Sequence, residues 1–450
     1  MSISTFVGIQ TSLRGLLAQQ RALDVTSHNI SNASTVGYTR QEATLAATTP
    51  LSVPTSSGAA SGLIGTGVDV QAYRRVRDQF LDLQYRAQSM SLGDQSARSD
   101  ALQQVELSFN EPGDSGIASA LNEFWNAWGD VTNSPESGAA RQAVVDKGRE
   151  LAQRINDLQA GLAGARTRAA DEYNELAGAG GEVNRTAADL AATLNAIRDA
   201  EMTGAQPNDL YDRRDLLLDQ LSSMGQVSVM QSPAGSLDVS LGGVRIVEAD
   251  DTTGIASVPA GTFPPAFPAS PGGRLGALLD LQSSTGPIAS YQIDLDAAAR
   301  SLADSVNGIY AATGAGFFTY GPGASGLPEL RINEPDISAA SLRGGLGGPA
   351  DNSLALAIQR LRGGDADQRY AQLVTRMGNE VAQAQRSQAT AQVLTDNLND
   401  RRESVSGVSL DEEMTNIIRF QRAYQASARA MSTTDEMLDT LINRAGRVGL

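Results

Sequence analysis

Each end of this chain carries a helical apolar stripe narrower than a globular core helix needs. Near the start, Phe6, Ile9, Leu13, Leu16, Leu23 and Ile30 fall on alternating steps of three and four, with Gln20 and Ser27 taking the polar places. That spacing puts side chains on one face of a helix, here a rod of roughly 45 Å at about 1.5 Å per residue. Near the other end, Leu410, Met414, Ile417, Tyr424, Ala428, Met431, Leu438 and Ile442 hold a heptad-like seam. Ser409 opens that helix with a capping-box pattern, in which Ser409 caps the first turn and Glu412 reaches back. Asp411, Glu412 and Glu413 add negative charge at the positive end of the helix dipole. Two such stripes can pair inside one chain or wait for neighbouring subunits, and periodicity alone does not choose.

The stretch between the stripes is too long for one ordinary core in a chain of 450 residues. A polar segment from Asn29 to Tyr38 turns at Gly37, and residues 44–69 read as an extended linker with a short hairpin. Helical spacing returns at Tyr73, Val76, Phe80, Leu83, Ala87 and Met90, again near 117–129, and again from Ala139 to about Ala200 with a break at Gly178–Gly181. Short β-rich runs follow at 226–231, 236–241 and 244–248, then loop at 252–273, helices over 274–313 and a Gly-rich stretch to 349. Helices resume at Ser353, the longest running from Asp367 toward Arg402. The expected fold is mainly α with an inserted α+β domain. Residues 1–45 with 405–450 would form a coiled-coil-like inner domain, 46–204 with 350–404 a helical middle domain, and 205–349 a small β-containing outer domain.

Charge and composition exclude whole classes of partner. The net charge of −16 argues against nucleic acid, whose phosphates need a basic surface, and against anionic lipid. The acidity belongs to the middle of the chain: residues 1–42 carry three arginines against two carboxylates, and 401–450 carry seven against seven. No stretch approaches the ~20 apolar residues of a membrane span, and no cleavable signal pattern is visible. With no cysteine, disulfides, thiolate metal sites and thiol nucleophiles are ruled out together.

Little in the sequence carries chemistry. His28 is the sole histidine and reads as a surface or helix-packing residue. The clusters Gly178–Gly181, Gly344–Gly348 and Gly363-Gly364 lack the strand-to-helix setting and Lys-Ser/Thr ending of a phosphate cradle. The carboxylates Asp411–Glu413 are explained by helix capping better than by glycoside hydrolysis. Trp125 and Trp128, three apart on one helical face, read as a core staple. No cofactor or metal is expected.

The segment Leu23-Asp-Val-Thr-Ser-His-Asn29-Ile30-Ser-Asn32-Ala-Ser-Thr35-Val-Gly37-Tyr38-Thr-Arg40-Gln41 resembles the N-terminal signature of the rod, hook and hook-associated proteins of the bacterial flagellum. Ser406 through Met414 and on through Phe420-Gln-Arg-Ala-Tyr424 to Ala428 resembles their C-terminal signature. Phe124-Trp125 through Asn133-Ser-Pro135-Glu136 to Gln142, and Pro207 through Arg213-Arg-Asp215 to Leu221, narrow the resemblance to the members that join hook to filament. Val36 stands where the family usually has proline, which leaves that turn less rigidly preset.

The resemblance implies a non-enzymatic structural subunit, exported without signal cleavage through the flagellar type III apparatus and mobile at its ends while free. It implies self-assembly into a ring at the distal end of the hook, outside the cell, touching hook protein, a second hook–filament junction protein and, before export, a flagellar export chaperone. The terminal helices would supply the assembly surface, through Phe6, Ile9, Leu13, Leu16, Leu23, Asn29, Ile30, Asn32, Gly37, Tyr38, Leu410, Met414, Ile417, Phe420, Tyr424, Met431, Leu438 and Ile442. The alternatives are a distal rod or hook protein, a flagellum-associated peptidoglycan hydrolase, and a surface adhesin.

Overall fold

Helix α1 (Val7–Ser31) leads into a two-stranded ribbon, so the hairpin expected within 44–69 is there and the linker around it is strand as well. The computed structural model describes residues 7–53, 62–231, 237–250, 255–257, 270–323, 326–334 and 336–440; Phe6 and Ile442 lie outside them. In the ribbon, β1 (Gln41–Ala47) pairs antiparallel with β4 (Val68–Arg75), from Gln41 opposite Arg75 to Ala47 opposite Val68, with a bulge at Thr44/Leu45. Strands β2 (Leu51–Val53) and β3 (Gly62–Ile64) extend it. The ribbon lies along α1, where Arg14 donates to Thr48 Oγ1 and to the Thr66 carbonyl. Helical spacing at Tyr73 and Val76 was therefore misleading. Tyr73 sits in β4, Val76 donates to the Arg40 carbonyl, and the helix begins at Gln79, capped by Asp78.

The body is built on long helices: α2 (Gln79–Phe109), α3 (Ile117–Asn133), α4 (Gly138–Ala177), α5 (Glu182–Met202) and α6 (Asn208–Met224). Ser137 caps α4 by accepting from Ala140 N–H at 3.2 Å. The expected break between α4 and α5 falls at Gly178–Gly181, because a Cβ at Gly181 would lie 2.2 Å from the Leu176 carbonyl oxygen. A four-stranded antiparallel sheet follows in the order β5 (Val227–Gln231), β6 (Leu237–Leu241), β7 (Val244–Asp250), β8 (Ile255–Ser257). Then come α7 (Gly273–Gln282) and α8 (Pro287–Tyr310), with proline at the start of α8, where no helical N–H is needed. A hairpin of β9 (Phe318–Pro322) and β10 (Pro328–Ile332) interrupts the Gly-rich stretch that was expected to be loop. The chain closes with α9 (Ser353–Gln359), α10 (Asp365–Ser406) and α11 (Leu410–Asp439).

The described residues are mostly helical with a few small sheets. One apolar core runs from Leu102 to Ala384 and crosses the expected boundaries near 204 and 349, because α6, α7 and α8 bury Leu218, Leu278 and Tyr291 in the same cluster as α4 and α10. Its densest part is aromatic. Phe124, Trp125, Trp128, Tyr310, Phe317 and Phe318 pack with ring centroids as close as 4.8 Å. Both tryptophans are sealed in, as a staple requires. The buried apolar residues of the terminal helices, Ala18, Ala22 and Leu438, are not part of this core.

Candidate assembly interface

Helices α1 and α11 pack against each other along their length within one chain. A Cβ at Gly8 would meet Thr434 Cγ2 at 3.2 Å and one at Gly15 would meet Ser427 Oγ at 3.2 Å, while Asn29 reaches Glu413. The helices are therefore antiparallel and close, held by small residues. Ala18, Ala22, Thr26 and Asn29 are the buried residues of α1; Glu413 and Leu438 are those of α11. Within the single chain each terminal helix has the other as its partner.

That pairing sorts the expected interface residues into two sets. Ile9, Leu16, Leu23, Ile30, Ile417, Phe420, Tyr424 and Met431 are partly buried, and Leu438 is buried. Leu13 (42 % exposed), Leu410 (53 %) and Met414 (54 %) face outward, as do Leu17, Ile418 and Met437, which the heptad reading passed over. The spacing of Leu410, Met414 and Ile418, four residues apart each time, was the missed signal for a second apolar stripe beside the first.

Asn29 is buried inside the single chain. It is 1 % exposed, and every hydrogen-bonding site on its amide is used inside the chain. Its Oδ1 accepts from Gln41 N–H at 3.0 Å and from Tyr38 O–H at 2.8 Å, and its Nδ2 donates to the Gln41 carbonyl at 2.9 Å and to Glu413 Oε2 at 3.2 Å. Burial, with Asp209, Asp212 and Glu413 nearby, pushes the Tyr38 phenol above its ordinary range, so it stays a donor. Asn32 donates back to the His28 carbonyl, and His28 meets Tyr38 O–H through Nδ1 at 3.0 Å. The turn Thr35–Tyr38 is closed by Tyr38 N–H on the Thr35 carbonyl at 3.1 Å, and Gly37 has φ +80° at its third position. Ser409 caps α11 as expected, but Glu412 binds Arg40 Nη1 at 2.5 Å.

Below this knot the ribbon is bolted to the body by buried ion pairs. Arg75 Nη1 bridges Asp212 Oδ1 and Asp215 Oδ2, both at 2.9 Å. Arg77 holds Asp82 at 2.6 Å and Asp215 at 3.4 Å. Arg402, on α10, closes the ring onto Asp82 at 3.1 Å and Asp219 at 2.7 Å. Thr39 N–H also donates to Asp212 Oδ2 at 3.0 Å. Burial alone would raise the Asp215 carboxyl, but the charges of Arg77 and Arg214 and the Arg75 hydrogen bond outweigh it and hold the group below its ordinary value. At Asp212 burial wins over Arg75 and Thr39, and the carboxyl is raised. Asp212, Arg214, Asp215 and Asp219 of α6 thus form the joint.

Comparison with known proteins follows the same division. The family described as flagellar hook-associated protein FlgK helical domain matches residues 102–316. The flagella basal body rod protein family matches 9–39, and the flagellar basal body rod FlgEFG protein C-terminal family matches 402–444. Flagellar hook-associated protein 1 of Bacillus subtilis (strain 168) is 32 % identical over 98 % of this chain and 99 % of its own length. Its namesake in Escherichia coli (strain K12) is 25 % identical over 97 % and 99 %. A solved structure, the flagellar hook junction protein FlgK from Burkholderia pseudomallei, has a TM-score of 0.44 at 23 % identity, over 53 % of this chain and 47 % of that one. With rod-type signatures on the paired terminal helices, a FlgK-type helical body between them and an end-to-end relative at this identity, the chain belongs to the family of flagellar hook-associated protein 1.

Proposed function

We propose that this chain is a structural subunit of the bacterial flagellum that assembles at the distal end of the hook and joins hook to filament. The observation that carries this reading is the end-to-end match to hook-associated protein 1. It is supported by the terminal helix pair, which spends small residues on its internal seam and leaves Leu13, Leu17, Leu410, Met414 and Ile418 facing outward. A monomer gains nothing from that arrangement, whereas a ring of copies buries those side chains against neighbours at about 25 cal/mol per Å². Within this reading the chain is exported without a cleaved signal and lies outside the cell in the flagellum. It self-assembles into a ring whose neighbours are hook protein and a second hook–filament junction protein, and a flagellar export chaperone shields the apolar face of α11 beforehand. On this reading it is a structural part rather than an enzyme, with protein partners. Among the described residues no helix is long and apolar enough to cross a membrane.

The reading as a distal rod or hook protein draws on the matches at 9–39 and 402–444, but the match at 102–316 sets this chain apart from it. Of the carboxylates weighed for a peptidoglycan hydrolase, Glu412 and Glu413 are engaged by Arg40 and Asn29, which fits capping and joining of α11. The test is electron microscopy of cells lacking the gene, with flagellin assayed in the medium. Bare hooks with shed flagellin are expected. Missing hooks would move the protein to the rod or hook, and normal filaments would reject the reading.

A further inference from the structure

The positions of α1 that face α11 recur every seven residues: Gly8, Gly15, Ala22 and Asn29. Gly8 lies against Thr434, Gly15 against Ser427 and Asn29 against Glu413, and Ala22 lines one cleft with Phe420. The partners on α11 therefore recur every seven residues as well. A seam of this kind has a weakness. If α1 slides one heptad, Gly15 meets Thr434 and Ala22 meets Ser427, small against small as before. Packing at those places hardly distinguishes the two alignments.

Asn29 does distinguish them. In the observed register its Nδ2 crosses the seam to Glu413 Oε2, itself 2 % exposed, while its other bonds tie the strand start at Gln41 and the Tyr38 hydroxyl. One heptad away Asn29 would face Phe420, and its buried amide would lose the Glu413 acceptor, which costs more than a changed contact between small side chains. A single buried polar pair in an apolar seam is a known way to specify register. We propose that Asn29, through Glu413, is the register-determining residue of the terminal helix pair, fixing which surface of α1 and α11 is offered to a neighbouring subunit. This holds wherever in the flagellum the subunit sits, and it makes Asn29 a positioning residue rather than a contact residue.

Because the chain has no cysteine, introduced pairs report register directly. A Cβ at Gly15 would lie 3.8 Å from Ser427 Cβ, within disulfide range, so Gly15→Cys with Ser427→Cys reports the observed register. Gly15→Cys with Thr434→Cys reports the slipped one. Each pair is oxidised by copper-catalysed air oxidation in the full chain, alone and combined with Asn29→Leu, Glu413→Leu or Glu413→Gln. Without a further change, only the first pair should close. With Asn29→Leu or Glu413→Leu, loss of the first crosslink and gain of the second are expected, while Glu413→Gln, which still accepts from Asn29, keeps the first alone. Glu413→Leu leaves the bonds to Gln41 and Tyr38 in place, so it separates register from folding of the joint. The first crosslink persisting alone in both leucine variants overturns the proposal. So does loss of both crosslinks together, which would mean that the pair is held by Asn29 but not aligned by it.

Discussion

Trp125 donates its indole N–H to Asp367 Oδ1 at 3.0 Å, tying α3 to the first turn of α10 across 242 positions of sequence. Trp128, one turn further on, is just as deeply buried, yet its indole nitrogen has no partner among the described residues. Replacing either ring with phenylalanine removes similar volume, but only at Trp125 is a bond to a carboxylate lost. Trp125→Phe is expected to cost about 1.5 kcal/mol more stability than Trp128→Phe. Urea unfolding of the two variants checks this, and equal losses would mean that the indole bond does not hold α3 to α10.

The joint gives a prediction with a sign. The Asp215 carboxyl is depressed in the folded chain, so its contribution is present above the unfolded value near ~3.9 and is lost as pH falls through the lower folded value. The Asp212 carboxyl is raised, so its contribution is full below the unfolded value and lost as pH rises through the folded one. At neutral pH, Asp215→Asn should cost about 3 kcal/mol by leaving Arg75, Arg77 and Arg214 short of a buried anion. Asp212→Asn should cost less than half as much, since its burial opposes the charge and an amide oxygen still accepts from Thr39. Unfolding free energy measured between pH 3 and pH 7 should show a shallower acid limb for Asp215→Asn alone.

The long helices were legible because 3.6-residue spacing repeats over many turns, and the Ser409 cap and the Gly178–Gly181 break marked ends that the structure confirms. The ribbon was not legible: Tyr73 and Val76 satisfy a helical step, and nothing local says that Tyr73 pairs with Ala43. The β9–β10 hairpin was hidden for a related reason, since its strands are short and set among glycine and proline. The joint was out of reach altogether. Arg75 meets Asp212 and Asp215 across 137 and 140 positions, and an arginine set beside Arg74 and Arg77 reads as part of a solvated basic run. At the terminal helices the apolar stripe was visible, but its division into an inward and an outward face depends on where the small residues Gly8, Gly15, Ala18 and Ala22 meet the partner helix.

The turn between α1 and β1 offers a stabilising change. Val36 is 81 % exposed and precedes Gly37, whose positive φ a turn of this type requires at its third position. Proline suits the second position of such a turn and narrows the unfolded ensemble. Val36→Pro is expected to stabilise the chain by about 0.5 kcal/mol, and Gly37→Ala to destabilise it by more than about 1 kcal/mol, because the new Cβ also meets Leu216 at 3.3 Å. Thermal melting of both variants decides it; a loss on introducing proline would mean that the turn opens in the native chain.

The outward stripe of α11 separates folding from assembly. Met414 and Ile418 are 54 % and 49 % exposed, so glutamate at either place meets water and should change the stability of the free chain by no more than about 0.5 kcal/mol. In an assembled ring the same carboxylates would be buried without a cation, at several kcal/mol for each subunit. Phe420, by contrast, is partly buried and lines the cleft between α1, β1 and α11, so Phe420→Glu should destabilise the free chain itself. Met414→Glu with Ile418→Glu is thus expected to yield a normally folded protein that leaves hooks bare when it replaces the native chain. Circular dichroism with urea unfolding reads the first property, and electron microscopy of the cells reads the second. Full-length filaments from the double variant would show that this face stays in solvent after assembly, and that neighbours are joined elsewhere on the subunit.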